Sequence, residues 1–106
     1  HKGKAQKCGL GITFRNPDGK RGRVIKRVKE GGPAAQSGRI QVGDRVLAVD
    51  EVLIGDSISG VDLAKLILGR KGSSCVLRLV KRDGGGEEYV TLERFESASK
   101  GEGAAA

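Results

Sequence analysis

Six consecutive residues, Gly9-Leu10-Gly11-Ile12-Thr13-Phe14, carry the most chemistry in this chain. Glycine on either side of Leu10 frees the backbone so that successive N–H groups can point into one concavity, a nest that suits a carboxylate-sized anion. Leu10, Ile12 and Phe14 alternate with Gly11 and Thr13, the period of a half-buried strand, and would place an apolar hollow beside the nest. The same pattern opens many ordinary hairpins, so the rest of the chain has to decide between the two.

Catalytic chemistry is hard to assemble from what remains. His1 is the single histidine and stands at the end of the chain, so no Ser-His-Asp or Cys-His arrangement has a base, and no zinc ligand set can be built around it. Asp44 and Asp56 follow glycines in turns, Asp50 ends a strand, and Asp62 belongs to a helix cap, which accounts for the carboxylates without a catalytic pair. Cys8 and Cys75 read as free thiols of a reducing compartment, Cys75 in the core and Cys8 partly exposed, although the sequence leaves a disulfide between them open. No catalytic residue, metal or cofactor is expected.

The 106 residues suffice for one domain with a modest aliphatic core. Twenty Lys and Arg against 13 Asp and Glu give a net charge of +7, which invites acidic partners, an anionic membrane surface or nucleic acid. The charge is scattered, and two phenylalanines and one tyrosine offer little to stack bases on, which argues against nucleic acid. No run of eighteen apolar residues occurs and no signal-like apolar stretch opens the chain, so the sequence as given reads as neither membrane-spanning nor secreted. With thiols of a reducing compartment, a cytoplasmic setting is expected.

The elements that must position the glycine stretch follow in order. Residues 1–7 form a lead-in or short edge strand; Leu10 to Arg15 and Arg23 to Lys29 make a hairpin around Asn16-Pro17-Asp18-Gly19. Pro33 opens and Gly38 closes a single helical turn. Ile40 to Asp50, with a tight Gly43-Asp44 turn, is too apolar for an edge and is taken as the central strand, followed by a brief strand at Val52 to Ile54. Ser59 caps a helix with Asp62 three positions on, and Gly69 ends it. Ser74 to Lys81 and Glu87 to Phe95 close the fold around Asp83-Gly84-Gly85-Gly86. Residues 96–106 read as a flexible tail.

The order of parts, with Gly9-Leu10-Gly11-Ile12, Gly32-Pro33-Ala34-Ala35 before Ser37-Gly38, and Gly43-Asp44-Arg45-Val46-Leu47-Ala48-Val49, resembles a PDZ domain over residues 8–95. The resemblance implies an α+β, mainly β fold: a partly open antiparallel sandwich or barrel of five to six strands capped by one short and one longer helix. It also implies a scaffold or signalling module that binds the C-terminal peptide of a partner by strand addition between the second strand and the second helix. The N–H groups of Leu10, Gly11 and Ile12 would then hold the carboxylate. Leu10, Ile12, Phe14 and Ile67 would form the terminal side-chain pocket, and Ala64 would border the groove, with Gly9 and Thr13 completing the strand side.

Family members that select Ser or Thr two residues before the terminus carry a histidine at the first position of the second helix. Gly60 stands there in this chain, with Val61 next, which implies a hydrophobic-x-hydrophobic-COOH preference. A basic residue expected ahead of the loop has two candidates, Lys4 and Lys7. Arg15, Lys20, Arg21, Arg23 and Lys26 would favour acidic residues upstream in the ligand, or anionic lipid heads at the inner face of a membrane. A monomer is expected, and the tail ending at Ala106 is a candidate self-ligand.

Overall fold

The computed structural model describes residues 7–95. Expectations for residues 1–6 and 96–106, including Lys4, the tail and Ala106 as a self-ligand, lie outside the described residues. In chain order the elements are β1 (Lys7–Cys8), β2 (Ile12–Phe14), β3 (Arg23–Val28), α1 (Pro33–Ser37), β4 (Arg45–Val49), β5 (Val52–Leu53), α2 (Gly60–Ile67), β6 (Gly69–Arg70), β7 (Ser74–Val80) and β8 (Glu87–Glu93). Lys7 and Cys8 together form the first strand, which lies across the boundary expected between residues 7 and 8.

One antiparallel sheet runs β2-β3-β4-β7-β8, with β5 hairpinned onto β4, and β1 pairs β6 in a separate two-stranded ladder. This is the expected fold class, with β4 in the centre. The sheet's inner face follows from period two: Cys75, Leu77 and Leu79 of β7 are buried while Ser74 is exposed and Val76, Arg78 and Val80 are only partly covered. Val90 and Leu92 of β8, Val46 and Val49 of β4, Ile25 of β3, and Leu63 and Ile67 of α2 complete the core with them.

The helices start and stop where local chemistry dictates. Pro33 opens α1, and Gly38 closes it at φ 70. Ser59 caps α2, its Oγ accepting the Asp62 N–H at 3.0 Å. Gly69 does not end α2 as a left-handed cap. Leu68 takes that place in extended backbone, and Gly69 is already in β6. A glycine is needed there for another reason, since a Cβ on it would lie 2.6 Å from Arg94 Cζ. The β4–β5 hairpin turns through Asp50 and Glu51, both at positive φ, and Asp50 also accepts the Val76 N–H at 2.9 Å.

Two buried features depart from the sequence reading. Cys8 is buried rather than partly exposed, because its strand pairs with β6 and closes over it; both cysteines are free. Burial also pushes the Cys75 thiol up to about 11, with Asp50 adding to the effect. Arg23, read as one of the solvated cations of the hairpin, is only 5% exposed. Its place on β3, two residues before buried Ile25, turns it inward.

Candidate functional site

The glycine loop is anchored by its carbonyls. Leu10 O accepts the Ala34 N–H of α1 at 3.0 Å and Gly11 O accepts the Lys29 N–H at 2.8 Å. With both carbonyls engaged, and Gly11 at φ 76, the amides of Leu10 and Gly11 are left without an acceptor among the described residues. Ile12 continues the set. The bond from Lys29 to Gly11 makes the next pair, Ile12–Val28, a non-hydrogen-bonded one, so the Ile12 N–H turns away from β3. It faces the outer edge of β2, which ends the sheet and pairs with no other described strand.

Contacts at both ends place α2 along that edge. At the loop end, Cys8 pairs with Gly69, and a Cβ on Gly9 would sit 3.5 Å from Leu68 Cδ2. At the other end, the Arg23 guanidinium donates to Arg15 O, just past β2, at 3.4 Å and to Ile58 O, just before the Ser59 cap. The start of β2 thus lies by the end of α2, and its far end by the approach to α2, so the two run antiparallel.

The expected site residues divide by burial. Leu10 and Ile67 are 1% and 6% exposed and belong to the core. Ile12 and Phe14 are half-buried and pack against it, as does Leu66, an apolar neighbour that had no assigned part in the pocket. Gly9 and Gly11 are half-buried, while Thr13, Gly60, Val61 and Ala64 are exposed, Val61 by 66%. A Cβ on Gly60 would meet nothing within 4 Å.

Charge around the site comes from the β2–β3 hairpin. Arg15, Lys20, Arg21, Lys26 and Arg27 are exposed, and none is ion-paired with a described residue. The turn's own acid is already engaged: Asp18 meets Arg45 at 2.6 Å, and that hydrogen bond holds its carboxyl down at about 2. A second hollow of about 320 Å³ involves Ala48, Glu51, Leu53, Val76, Arg78 and Tyr89. Arg78 there is paired with Glu87 at 2.9 Å and lies over the Tyr89 ring.

Sequence reasoning missed the two inward arginines, Arg23 and Arg94. Arg94 is 4% exposed and donates from Nε to Ile67 O at 2.8 Å and from Nη1 to Ser73 Oγ at 2.9 Å and Ser74 O at 3.1 Å. The signal was present in the alternation: Arg23 is in step with Ile25, and Arg94 with Val90 and Leu92. Among the described residues no group of three or more His, Cys, Asp or Glu could hold a metal ion.

Comparison with known proteins agrees with this geometry. Multiple PDZ domain protein of Homo sapiens is 48% identical over 48 residues, 44% of this chain and 2% of that protein. The Rattus norvegicus protein of that name is 38% identical over 71 residues, 67% of this chain and 3% of its own length. The chain therefore spans a small fraction of these relatives. Among solved structures, the PDZ domain of the carboxy-terminal protease from Vibrio cholerae, in complex with peptide, matches with a TM-score of 0.71 at 27% identity, covering 85% of this chain and 96% of that one. The photosystem II D1 C-terminal processing protease matches with a TM-score of 0.72 at 23% identity over 92% of this chain and 25% of its own, a likeness of fold alone. A family model described as PDZ domain matches residues 24–81, more than half of the sequence. With the glycine loop, the open strand edge and the antiparallel helix in this arrangement, the chain belongs to the PDZ family of non-catalytic, peptide-binding interaction modules.

Proposed function

We propose that this domain binds the C-terminal residues of a partner protein as an added strand along the outer edge of β2, with the terminal carboxylate on the amides of Leu10, Gly11 and Ile12. The observation that carries the reading is the one-sided loop, whose carbonyls are used up inward while its amides have no acceptor among the described residues. A carboxylate received there gains charge-assisted hydrogen bonds, each stronger than a neutral one. Strand addition supplies the remaining main-chain bonds.

Ile12, Phe14 and Leu66 are the partly open apolar surface next to Leu10 and Ile67, and they suit an apolar terminal side chain. Gly60 and Val61 offer no hydroxyl-reading group at the start of α2, which favours the hydrophobic-x-hydrophobic-COOH pattern. An antiparallel ligand running from the loop reaches Arg15 about three or four residues upstream of its terminus. The unpaired cations of the hairpin favour acidic side chains there. Free thiols at Cys8 and Cys75 suit a reducing, cytoplasmic setting.

A library of ten-residue peptides with free or amidated ends, read by fluorescence anisotropy, tests the proposal. The expected result is micromolar binding of peptides ending hydrophobic-x-hydrophobic, weakened about thirtyfold by amidation. Equal binding of both forms would remove the carboxylate from the account. The same five cations favour one competing reading, docking on anionic lipid. Cosedimentation with phosphatidylserine vesicles, lost steeply with salt and indifferent to peptide, would support that reading instead.

A further inference from the structure

Arg23 occupies a place where a core residue would be expected. It is in step with Ile25 on β3, and it has no carboxylate partner among the described residues. Burying a guanidinium without a counter-ion is costly unless its N–H groups are met. Here they are met by main-chain oxygens, Arg15 O and Ile58 O, while Nε is buried with no partner among the described residues. A methionine could fill the same volume without that penalty. What methionine lacks is a planar fork able to hold two carbonyls at a fixed separation.

Those two carbonyls belong to opposite walls. Arg15 follows β2 and Ile58 precedes the cap of α2, so the fork spans the end of the β2–α2 gap that lies farthest from the glycine loop. The loop end is held by other means: the Cys8–Gly69 pair and Arg94, whose Nε reaches the last residue of α2. We propose that Arg23 is a positioning residue that sets the width of the groove at the end where upstream ligand residues lie, leaving the terminal pocket to the ladder and Arg94. This rests on the peptide-binding reading, and its test is built so that either can fail alone.

The experiment compares wild type, Arg23→Met and Arg23→Lys. Anisotropy is read on a fluorescein-labelled ten-residue peptide ending Glu-Leu-Ala-Val with a free carboxylate, and on its Ala-terminated counterpart. Amide hydrogen exchange is followed in the ligand-free proteins. With Arg23→Met, affinity falls about tenfold while the preference for terminal Val over Ala stays as in wild type. Exchange at Asp62 and Leu63, whose amides the Ser59 cap holds, speeds up about tenfold, and β7 and β8 keep their wild-type protection. A residue with only a general structural role would speed exchange throughout and leave the affinity of the folded fraction unchanged. Arg23→Lys, which keeps the charge but not the fork, shows the same pattern to a smaller degree, and it supplies the reading if the methionine variant does not fold. Wild-type affinity together with wild-type exchange at Asp62 and Leu63 overturns the proposal. If wild type itself binds neither peptide, the binding reading falls, and exchange at the start of α2 alone decides the role of Arg23: acceleration supports it and no change overturns it.

Discussion

Asp44 has no exposed surface, yet it carries a charge. Burial alone would push its carboxyl up, but Lys81 Nζ at 2.6 Å and the amides of Gln41 and Arg82, at 3.0 and 2.9 Å, outweigh that and hold it below the ordinary carboxylate value. The Gly-Asp turn before β4 is thereby fastened to the end of β7. Because the folded pKa is depressed, the stability this group contributes is present at neutral pH and lost as pH falls below about 4 and through the folded value. Asp44→Asn is expected to cost about 3 kcal/mol at pH 7, since it leaves the mostly buried Lys81 unpaired. Urea unfolding at a series of pH values checks this, and the gap between wild type and variant should narrow under acid. From the sequence, Asp44 is legible as a turn residue and no more. Its partner is 37 residues away, and no local pattern announces a pair that forms only when two strand ends meet.

Among the elements, those built from local rules could be read in advance: α1 from Pro33 and Gly38, the start of α2 from Ser59, β7 from its alternation, and the last hairpin from its glycines. Strands at the margin came out shorter than read. Leu10 leaves β2 because its carbonyl goes to α1. The register of β2 against β3 shifts between Thr13 and Phe14, so among the described residues only the single bond from Arg15 N–H to Val24 O carries the pairing past Phe14. Gly69 was legible as necessary but for the wrong reason. Its closeness to Arg94 predicts that Gly69→Ala drives a methyl group into a guanidinium that cannot withdraw without releasing Ile67 O and Ser73 Oγ. The expected loss is about 1–3 kcal/mol in thermal or chemical unfolding. A left-handed cap would instead have predicted tolerance only of Asn, whereas Gly69 has no positive φ.

Over the whole molecule, the net charge of +7 is spread unevenly in its availability. Arg39, Arg45, Arg78 and Lys81 are spent on internal acids, whereas Arg15, Lys26 and Arg27 flank the proposed strand-addition edge without a described partner. The triple change Arg15→Gln, Lys26→Gln, Arg27→Gln is expected to weaken an acidic ten-residue peptide about fivefold at low salt and a neutral one hardly at all. Titrations at two ionic strengths decide it, since raising salt should erase the difference.

The strand side of the proposed groove was legible as an apolar alternation because Leu10, Ile12 and Phe14 lie within six residues. Its width was not, because that depends on β1, β6, Arg23 and Arg94, which sequence separates. One of these ties bears on how the domain answers force. The glycine loop follows β1, whose ladder with β6 is two pairs long among the described residues, while β7 and β8 share seven. Tension applied at Lys7 would load those two pairs before it reached the long ladder. On the peptide-binding reading, a pull from that side would be felt at the carboxylate loop before the rest of the sheet, with Leu10 O and Gly11 O still holding the loop to α1 and Lys29.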